Sequence, residues 1–489
     1  MTTPPCADTF AGSFFHLDGL EITDQACQGT ACFAARHRDP ERWASAVRSE
    51  PRVSCLGKCH VAPAVATDET PCVVAVDVAD PVVLGRVARG RPAAIDAYLA
   101  DGGYTGLERA LSLGAERAVS EIEASQLRGR GGAAYPTGRK WRAALDHHAD
   151  AAYVVANGDE GDPGAYVDRV LLEEDPHAVL EGLAVAAVTV GAQHAFVYIR
   201  KEYPRARRCV ECALAEARAA GVLGPAVLGS GPPLDVTVVE GEGSYVCGEE
   251  TALLNALEGR RPDVRARPPY PTEHGLFGRP TVVDNVETLA AVPWILRRGG
   301  AAHAALGAGA SRGTKAVSLN SLFRRPGVYE VELGVTVRHV VEDLGGGPAD
   351  GDVTGVLIGG PLAGVLPPRL LDTPLGFQEL RAVGCEVGHG GIVAFDGHTS
   401  MLELAHHVFR FGAYESCGKC TPCRVGAARI EDLLDGSRAE RCGPSAAREW
   451  RGIVAALAAT SLCGHGTGLG AFARSLETHY GKELGRWLG

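Results

Sequence analysis

Cysteine residues give the 489-residue sequence its clearest chemical signal. Three of them are spaced by two residues in Cys417-Gly-Lys-Cys420-Thr-Pro-Cys423, and a fourth, Cys463, follows in Ser-Leu-Cys-Gly-His. Three thiolates from one loop with a distant fourth are typical of a [4Fe–4S] cluster. Zinc is the alternative, although its sites usually combine two pairs of ligands. The pattern therefore predicts a [4Fe–4S] site.

A second set of cysteines lies near the N-terminus. Cys27 and Cys32 form one close pair and Cys55 and Cys59 another, with a helix-sized interval between the pairs. Four thiolates in two pairs suit a [2Fe–2S] cluster or a tetrahedral zinc ion. The spacing alone does not distinguish among a cluster, a zinc ion and an empty site. The other cysteines lack such partners and are predicted to be packing or incidental thiols: Cys6, Cys72, Cys209, Cys212, Cys247, Cys385 and Cys442.

The stretch from Leu127 to Trp141 combines glycines with cationic side chains. Glycines let the backbone approach a ligand and adopt positive φ, so that several N–H groups can converge on phosphate oxygens while arginine and lysine balance the charge. A mobile, basic surface loop is the alternative. The spacing matches neither the Rossmann fingerprint nor a P-loop. The residues of this predicted anion cradle are Gly129, Arg130, Gly131, Gly132, Gly138 and Lys140.

Acidic side chains follow two predicted strands. Tyr153 to Ala156 runs into Asn157-Gly-Asp-Glu-Gly-Asp-Pro-Gly-Ala-Tyr166, and Leu234 to Val239 opens into a Gly-rich segment that contains Glu249 and Glu250. Open α/β sheets present ligand sites beyond the carboxyl ends of their strands, which favours a binding site here. Ordinary turn formation and helix capping are the alternatives, since carboxylates stabilise the first turn of a helix.

Hydrophobic periodicity predicts the elements that hold these residues. Near the N-terminus we expect strands at 13–17, 52–55 and 73–78 around a helix at 39–47, which together form a small α/β unit. Helices and a linker follow at 91–125, alternating strands and helices to about 310, and a small β-rich unit around 315–358. Four C-terminal helices are predicted at 400–414, 424–434, 446–459 and 469–484.

Composition restricts the class of protein. Hydrophobic residues make up 46% and charged residues 22% of the chain, and the net charge is −11. A net acidic chain is a poor general nucleic-acid binder, so no nucleic-acid partner is expected. We find no secretion signal and no apolar span of membrane length, and we expect a cytoplasmic protein without direct membrane insertion, whose cysteines serve metals rather than disulfides.

Several motifs in series resemble one family. Arg-Gly-Arg-Gly-Gly near 130, Gly-Glu-Gly-Ser-Tyr-Val-Cys-Gly-Glu-Glu-Thr near 246, Asn-Val-Glu-Thr near 286 and the cysteine run near 420 occur in this order. This is similar to the FMN- and NADH-binding flavoprotein subunit of respiratory complex I, which also serves NAD-linked formate dehydrogenases and hydrogenases. The match covers about residues 100–489. The N-terminal cysteine pairs resemble those of thioredoxin-like [2Fe–2S] ferredoxins, with a shorter interval between the pairs.

These resemblances imply an α/β protein of four units. They are a thioredoxin-like ferredoxin domain (1–90), a Rossmann-like FMN/NADH domain (91–310), a ubiquitin-like β-grasp domain (311–375) and a C-terminal four-helix [4Fe–4S] domain (376–489). Carried over by position, the FMN site would comprise Gly129, Arg130, Gly131, Gly132, Lys140, Asn157, Asp159, Glu160, Tyr245, Gly248, Glu249, Asn285 and Thr288. The nicotinamide nucleotide would meet Tyr135, Asp162, Glu250, Arg267 and Tyr270.

Three nucleotide-site residues depart from the complex I pattern. Tyr135 replaces Phe, Asp162 replaces Glu and Arg267 replaces Lys, which favours the formate-dehydrogenase and hydrogenase branch. Arg267 is compatible with a 2′-phosphate, but Glu250 would accept ribose hydroxyls and repel a phosphate, so NAD is predicted over NADP.

The implied activity is that of a diaphorase. A flavin can take a hydride and release electrons singly, so no catalytic side chain is required. We predict the NAD-reducing β subunit of a cytoplasmic formate dehydrogenase, with a hydrogenase diaphorase or the NADH-oxidising subunit of complex I as alternatives. The expected partners are a catalytic dehydrogenase or hydrogenase subunit with further iron–sulfur clusters and a small [2Fe–2S] thioredoxin-like subunit. Two further alternatives are an electron-carrier or scaffold protein that has lost its flavin and a zinc-binding interaction protein without redox activity.

Overall fold

The structure is a computed structural model, and it describes residues 15–23, 25–50, 52–147, 149–435 and 444–488. The strands, in chain order, are β1 (Val74–Asp77), β2 (Tyr153–Gly158), β3 (His194–Ile199), β4 (Asp235–Glu240), β5 (Thr281–Asn285), β6 (Gly307–Ala308), β7 (Ser311–Arg312), β8 (Thr314–Leu319), β9 (Gly327–Glu332), β10 (Gly355–Ile358), β11 (Val365–Leu366) and β12 (Gly391–Phe395).

Helices surround these strands. Up to the end of β5 they are α1 (Thr30–Ala34), α2 (Pro40–Arg48), α3 (Gly85–Ala88), α4 (Ile95–Ala100), α5 (Thr105–Leu113), α6 (Ala115–Ala124), α7 (Thr137–Asp146), α8 (Val167–Glu174), α9 (Pro176–Val190), α10 (Pro204–Ala219), α11 (Glu250–Leu257) and α12 (Pro271–His274). Beyond it they are α13 (Val286–Arg298), α14 (Gly300–Ala305), α15 (Phe377–Ala382), α16 (Met401–Tyr414), α17 (Thr421–Leu434), α18 (Pro444–Thr460) and α19 (Gly464–Leu488).

A four-stranded parallel sheet in the order β4-β3-β2-β5 carries the predicted binding loops. Alternate side chains of β2 point to opposite faces of this sheet, and both faces are covered: Val154 and Ala156 join the main core, whereas Val155 packs in a second cluster with Leu253 and Leu254 of α11. Burial on both faces explains the apolar sequence of β2, and the sheet confirms the predicted parallel α/β unit.

The six-stranded mixed sheet has the order β1-β9-β8-β12-β10-β11. β8 pairs antiparallel with β9 and parallel with β12, and β1 pairs parallel with β9 at the edge. The predicted β-grasp domain ended at residue 375, but β12 lies beyond that boundary and β1 precedes the central unit. This sheet is therefore assembled from three separate parts of the chain.

The separate thioredoxin-like domain predicted for residues 1–90 is not found in the described part of that segment. Residues 13–14 lie outside the described range, Phe15 to Leu17 form no strand, and the predicted strand at 52–55 is reduced to a single bridge between Cys27 and Val53. The strand predicted at 73–78 exists as β1, but it pairs with β9. The short interval between the cysteine pairs holds only α1 and α2, so the segment completes a neighbouring sheet instead of forming its own.

Four C-terminal helices, α16 to α19, pack together as predicted, with Trp450 and Phe472 fully buried between them. A capping box at Ser400 and Glu403 begins α16. Cys6 and Cys442, which were predicted to be packing thiols, lie outside the described residues. Within the described ranges, the helices lack the combination of length and apolar character needed to cross a membrane.

Candidate functional site

The carboxyl ends of β2 and β5 bring three predicted motifs together. Asn157 and Asn285 lie side by side in the register of the two strands. The Asn157 amide donates to the carbonyl of Gly248 at 2.9 Å, and its oxygen accepts from the backbone of Asp159 at 3.1 Å. The Asn285 oxygen caps α13 by accepting from the N–H of Thr288 at 3.2 Å. The predicted strand-end site therefore has well-defined walls.

The Gly-rich loop lies against the same strand ends. The backbone N–H of Arg130 donates to the Thr288 hydroxyl at 2.8 Å. A Cβ at Gly131 would lie 2.9 Å from the Cβ of Asn285, and Gly132 has a φ of +111°. Only glycine allows this close approach and this backbone conformation without strain, so both positions form a cradle that a side chain would fill.

The two predicted phosphate cations have other contacts. Arg130 is buried and donates to the carbonyl of Arg312 at 2.9 Å, while its Nη1 finds no acceptor among the described residues. Burial lowers the Arg130 pKa to about 10. Lys140 donates to the carbonyl of Val283 at 2.6 Å and pairs with Asp284 at 3.1 Å. Burial lowers the Lys140 pKa, but Asp284 and Glu250 outweigh it and raise the pKa overall.

A buried acidic group follows β2. Glu160 accepts from the backbone N–H groups of Asp168 and Arg169 at 3.1 Å each, at the start of α8. Burial and the neighbouring Asp168 raise the Glu160 pKa to about 7. Burial also raises the Asp159 pKa well above its usual range. Asp162 accepts from the Tyr245 hydroxyl at 2.7 Å, which joins a predicted nucleotide residue to a predicted flavin residue.

His389, which the sequence reasoning missed, reaches this acidic group from the turn before β12. Its Nε2 lies 2.8 Å from Asp168 and 3.2 Å from the amide of Asn285, and its Nδ1 lies 3.7 Å from Asp162. The available signal was the sequence Gly388-His-Gly-Gly391, a lone histidine between glycines that lets the backbone turn tightly. Its distance from the other motifs in sequence concealed this connection.

Glu249 and Glu250, adjacent in sequence, have different contacts. The Glu249 carboxylate caps α11 by accepting from the N–H groups of Thr251 and Ala252 at 2.9 Å each. Glu250 pairs with Arg267 at 2.7 Å, which brings two predicted nucleotide residues together, and Glu249 lies farther from the same guanidinium, at 3.8 Å. The aromatic residues predicted for the same ligand, Tyr135 and Tyr270, are each 53% exposed, so their ring faces are available for stacking.

The four C-terminal cysteines line one small cavity, together with Val246, Val264 and His465. Cys417 and Cys423 are buried, and Cys420 and Cys463 are partly exposed. Ser416 lies 3.2 Å from the Cys423 sulfur. Since Val246 follows Tyr245 in the chain, the predicted cluster cavity and the strand-end site share a wall. The donor set and its arrangement fit an iron–sulfur cluster.

The four N-terminal cysteines also converge, and all are buried. The Cys27 thiol contacts those of Cys32 and Cys55, and the Cys55 and Cys59 sulfurs are 3.9 Å apart. Backbone N–H groups point at the sulfurs: Gly29 at Cys27 (3.4 Å), Gly57 at Cys55 (3.3 Å), Ala64 at Cys32 (3.4 Å) and Gly164 at Cys59. N–H groups of this kind suit the sulfurs of an iron–sulfur cluster.

The distances between the cysteine sulfurs can be compared with those of a tetrahedral zinc site. Among the described residues, no three cysteine sulfurs lie within 4.8 Å of one another in either set. A tetrahedral zinc ion with Zn–S bonds of about 2.3 Å would draw its four sulfurs closer than this. Among the described residues, the sulfurs of both sets are therefore spread more widely than those of a four-thiolate zinc site.

Two buried side chains tie the N-terminal cysteines to the strand-end site. Glu415 accepts from the Ser54 hydroxyl at 2.7 Å and from the Tyr245 backbone at 3.1 Å, and it pairs with His16 at 3.2 Å. Arg200 donates to the carbonyl of Cys55 at 3.0 Å and also to the carbonyl of Glu160. Both cysteine sets thus adjoin the same binding loops.

Two family models match the chain. The Nuo51 FMN-binding domain matches residues 122–294, and the NADH-ubiquinone oxidoreductase-F iron-sulfur binding region matches residues 403–486. The first range contains the Gly-rich loop, the strand ends and the Glu249–Glu250 pair. The second contains the C-terminal cysteine set.

Individual proteins are similar over longer ranges. An NADH-quinone oxidoreductase F subunit of Rhizobium meliloti (strain 1021) is 44% identical over 349 residues, which are 71% of this chain and 83% of the relative. The HndC subunit of the NADP-reducing hydrogenase of Solidesulfovibrio fructosivorans is 38% identical over 397 residues, 79% of this chain and 81% of the relative. A chain of a NAD+-reducing [NiFe]-hydrogenase in the H2-reduced state aligns with 99% of this chain and 89% of its own length, at a TM-score of 0.82 and 28% identity.

Proposed function

Because the chain belongs to the family of NADH-quinone oxidoreductase F subunits, NADH dehydrogenases with FMN-binding and 4Fe–4S-binding domains, we propose that it is the diaphorase subunit of a larger NAD-linked complex. It would pass electrons between NAD(H) and iron–sulfur clusters. One observation supports the proposal most directly. The Gly-rich cradle, the strand ends of β2 and β5 and both cysteine sets all adjoin the same loops.

FMN, when bound, would accept a hydride from NADH and release its electrons singly. The residues proposed to hold it are those at the cradle and strand ends, where Gly131 and Gly132 leave room, Asn157, Asn285 and Thr288 supply polar groups, and the orphaned Arg130 Nη1 adds a buried donor. Asp159, Glu160, Tyr245, Gly248 and Glu249 would shape the pocket, with Gly129 and Lys140 at its edge. No side chain of the chain needs to act as an acid or base.

We propose that the nicotinamide nucleotide binds between Tyr135 and Tyr270 and beside Asp162, Glu250 and Arg267. The exposed tyrosine rings suit stacking on planar rings. Glu250 pairs with Arg267, so the guanidinium is not free for a 2′-phosphate, and the carboxylate would repel one. NAD is therefore the proposed substrate over NADP, and the KM values for NADH and NADPH test this choice directly.

Electrons would pass between the flavin and a [4Fe–4S] cluster on Cys417, Cys420, Cys423 and Cys463, in the direction that the partner sets. A [2Fe–2S] cluster on Cys27, Cys32, Cys55 and Cys59 would extend or branch the path. The N–H groups that face the N-terminal sulfurs support this second cluster. Iron and sulfide analysis of anaerobically purified protein is expected to give about six iron ions per chain, the content of one cluster of each kind. Zinc without sulfide would instead support the interaction-protein alternative.

We propose that the physiological complex is a cytoplasmic NAD-reducing formate dehydrogenase. The substitutions at Tyr135, Asp162 and Arg267 motivate this choice, and fifteen cysteines suit a reducing compartment. The second candidate is an NAD-linked hydrogenase, which is favoured by the alignment of 99% of this chain with a NAD+-reducing [NiFe]-hydrogenase. In either case the partners would be a catalytic subunit with further clusters and a small thioredoxin-like [2Fe–2S] subunit.

The decisive experiment is purification of the native complex through a tag on this chain. Reduction of NAD+ is then measured with formate and with H2 as separate electron donors, and with FMN content determined in the same sample. Formate-dependent reduction supports the first candidate and H2-dependent reduction the second. A folded protein without flavin or iron after anaerobic handling would refute the diaphorase proposal itself.

A further inference from the structure

His389 lies between the proposed nucleotide site and the proposed flavin site. We propose that His389 is a positioning residue that, as an imidazolium, holds Asp162 and Asn285 in one network and thereby makes nucleotide affinity depend on its own charge. The inference rests on the proposed function, because that function gives Asp162 and Asn285 their ligands.

Both ring nitrogens of His389 are engaged. Nε2 lies 2.8 Å from Asp168 Oδ2, and the same oxygen accepts from the Asn285 amide at 2.6 Å. The imidazolium N–H and the Asn285 amide are both donors, so Asp168 is the acceptor that joins them. Nδ1 lies 3.7 Å from Asp162, whose other oxygen accepts from Tyr245. One ring therefore connects the loop after β2, the start of α8 and the end of β5.

The charged groups that face His389 are mostly acidic. Glu160 and Asp162 come from the loop after β2, Asp168 from α8, and Lys315, beside Gly390, is neutralised by its pair with Glu287. Burial lowers the His389 pKa, but the carboxylates outweigh it and raise the pKa well above its usual range. The ring is therefore charged at neutral pH and offsets carboxylates that would otherwise repel a ligand.

The nucleotide to be bound is itself anionic. If the imidazolium loses its proton, the Asp162 and Asp168 side chains lose the cation that lies between them. Nucleotide binding must then weaken at the Asp162 side, whereas the Gly-rich cradle keeps its own backbone contact between Arg130 and Thr288. The effect falls on nucleotide affinity rather than on flavin retention.

The test compares wild-type holoprotein with His389→Gln, which keeps hydrogen-bonding groups but removes the charge. The matched control is His194→Gln, an exposed histidine at the opposite, amino end of β3. Binding of NAD+ to the oxidised protein is measured by calorimetry over a pH series, and FMN content is measured in each sample. Two buffers of different ionisation enthalpy report proton uptake on binding.

We expect His389→Gln to bind NAD+ about tenfold more weakly at neutral pH, the size of one pKa unit of charge interaction, while FMN content stays at the wild-type level. Wild-type affinity should fall as the pH rises through the raised His389 pKa, with proton uptake on binding. Glu160 has a pKa of about 7 in the wild-type protein, where His389 lowers it, so the Glu160 titration moves to higher pH in the variant. His194→Gln should behave as wild type.

Several results would overturn the inference. Unchanged NAD+ affinity in His389→Gln at neutral pH, or wild-type affinity that does not fall at alkaline pH, excludes the proposed role of the charge. If the variant loses FMN, its NAD+ affinity cannot be compared with that of the wild type. The wild-type protein then tests the inference alone: if NAD+ binding takes up no proton at alkaline pH, the His389 charge does not affect nucleotide affinity. Wild-type protein that retains FMN but binds no NAD+ at any pH would refute the proposed function instead, which separates the two failures.

Discussion

Glu249 and Glu250 illustrate how adjacent carboxylates come to serve different purposes. Glu249 is committed to the start of α11, where two backbone N–H groups and the Thr251 hydroxyl bind its carboxylate. Glu250 points to the loop that carries Arg267 and Tyr270. The sequence predicted an acidic pair beside glycines. The structure adds where α11 begins, and that position determines which carboxylate caps the helix and which can contact a ligand.

Replacing Glu250 by alanine should weaken the nucleotide while leaving flavin bound. The change removes the carboxylate proposed to meet the ribose and releases Arg267, so the KM for NADH should rise about tenfold. Steady-state kinetics with an artificial electron acceptor measures this value. Glu116→Ala, which breaks an exposed pair with Arg142, is the control. Loss of FMN from Glu250→Ala would assign Glu250 to the flavin instead.

Replacing Cys420 by alanine should separate the two halves of electron transfer. Cys420 lines the cluster cavity, whereas Asn157 and Asn285 of the strand ends do not, so NADH should still bleach the flavin absorbance at the wild-type rate. Reduction of an acceptor that depends on the clusters should fall at least about 100-fold, since a cluster that loses a thiolate ligand is disrupted. Stopped-flow spectroscopy follows the first step. If flavin reduction itself disappeared with FMN still present, the proposed order of electron transfer would be wrong.

At the scale of elements, helix α16 anchors the N-terminal segment. His407 of α16 stacks on Phe33 of α1 with ring centroids 4.3 Å apart, and Trp43 of α2 packs nearby. Burial, with smaller contributions from Arg36 and Arg410, lowers the His407 pKa to about 3. The packing of α1 on α16 therefore depends on a neutral imidazole.

This contact predicts an acid-sensitive stability. As the pH falls below about 6.5, the unfolded chain protonates His407 while the folded chain does not, so the folded state loses stability, by roughly 1 kcal/mol at about pH 5.5. Denaturation midpoints at about pH 7.5 and about pH 5.5 measure the loss. In His407→Leu the loss should be smaller by that amount, whereas the exposed His274→Leu should match wild type. Equal losses in His407→Leu and wild type would contradict the pKa assignment.

Helices and strands with a strong hydrophobic periodicity could be predicted from the sequence. Elements whose pairing or contacts depend on residues distant in sequence could not. The strand before Asn157 and the four C-terminal helices follow from their own apolar patterns, and the family and its NADH dehydrogenase activity, predicted from the motif series, are confirmed. We predicted a separate sheet for the N-terminal segment, but β1 pairs with β9. The apolar pattern of β1 indicates a strand and carries no information about which sheet the strand joins. His389 could not be found because its partners are about 200 residues away and nothing in its own segment indicates them.

At the scale of the whole molecule, the N-terminal segment braces three units. It adds β1 to the six-stranded sheet, reaches Glu415 beside the C-terminal cysteines through Ser54, and contacts the flavin-site loop through Arg200. The carboxylate of Glu330 in β9 holds the chain that follows β1, because it accepts from the backbone N–H groups of Val82, Val83 and Leu84.

Replacing Glu330 by alanine should loosen this brace. Three buried N–H groups and the Thr314 hydroxyl would lose their acceptor, which costs about 3 kcal/mol or more of unfolding free energy. Hydrogen exchange should then be faster in residues 74–90 than in the central parallel sheet. Glu330→Gln, which keeps one acceptor oxygen, should show a smaller change. Unaltered exchange at 82–84 in Glu330→Ala would mean that β1 pairing alone holds the segment.

The burial of the N-terminal sulfurs also constrains how the protein matures in the cell. A carrier that delivers iron and sulfide can serve only thiols it can reach, and Cys27, Cys32, Cys55 and Cys59 are all enclosed, whereas Cys420 and Cys463 remain accessible. If these four thiols hold the proposed [2Fe–2S] cluster, we expect it to be inserted before the chain closes over them, whereas the C-terminal cluster could be inserted into the folded chain.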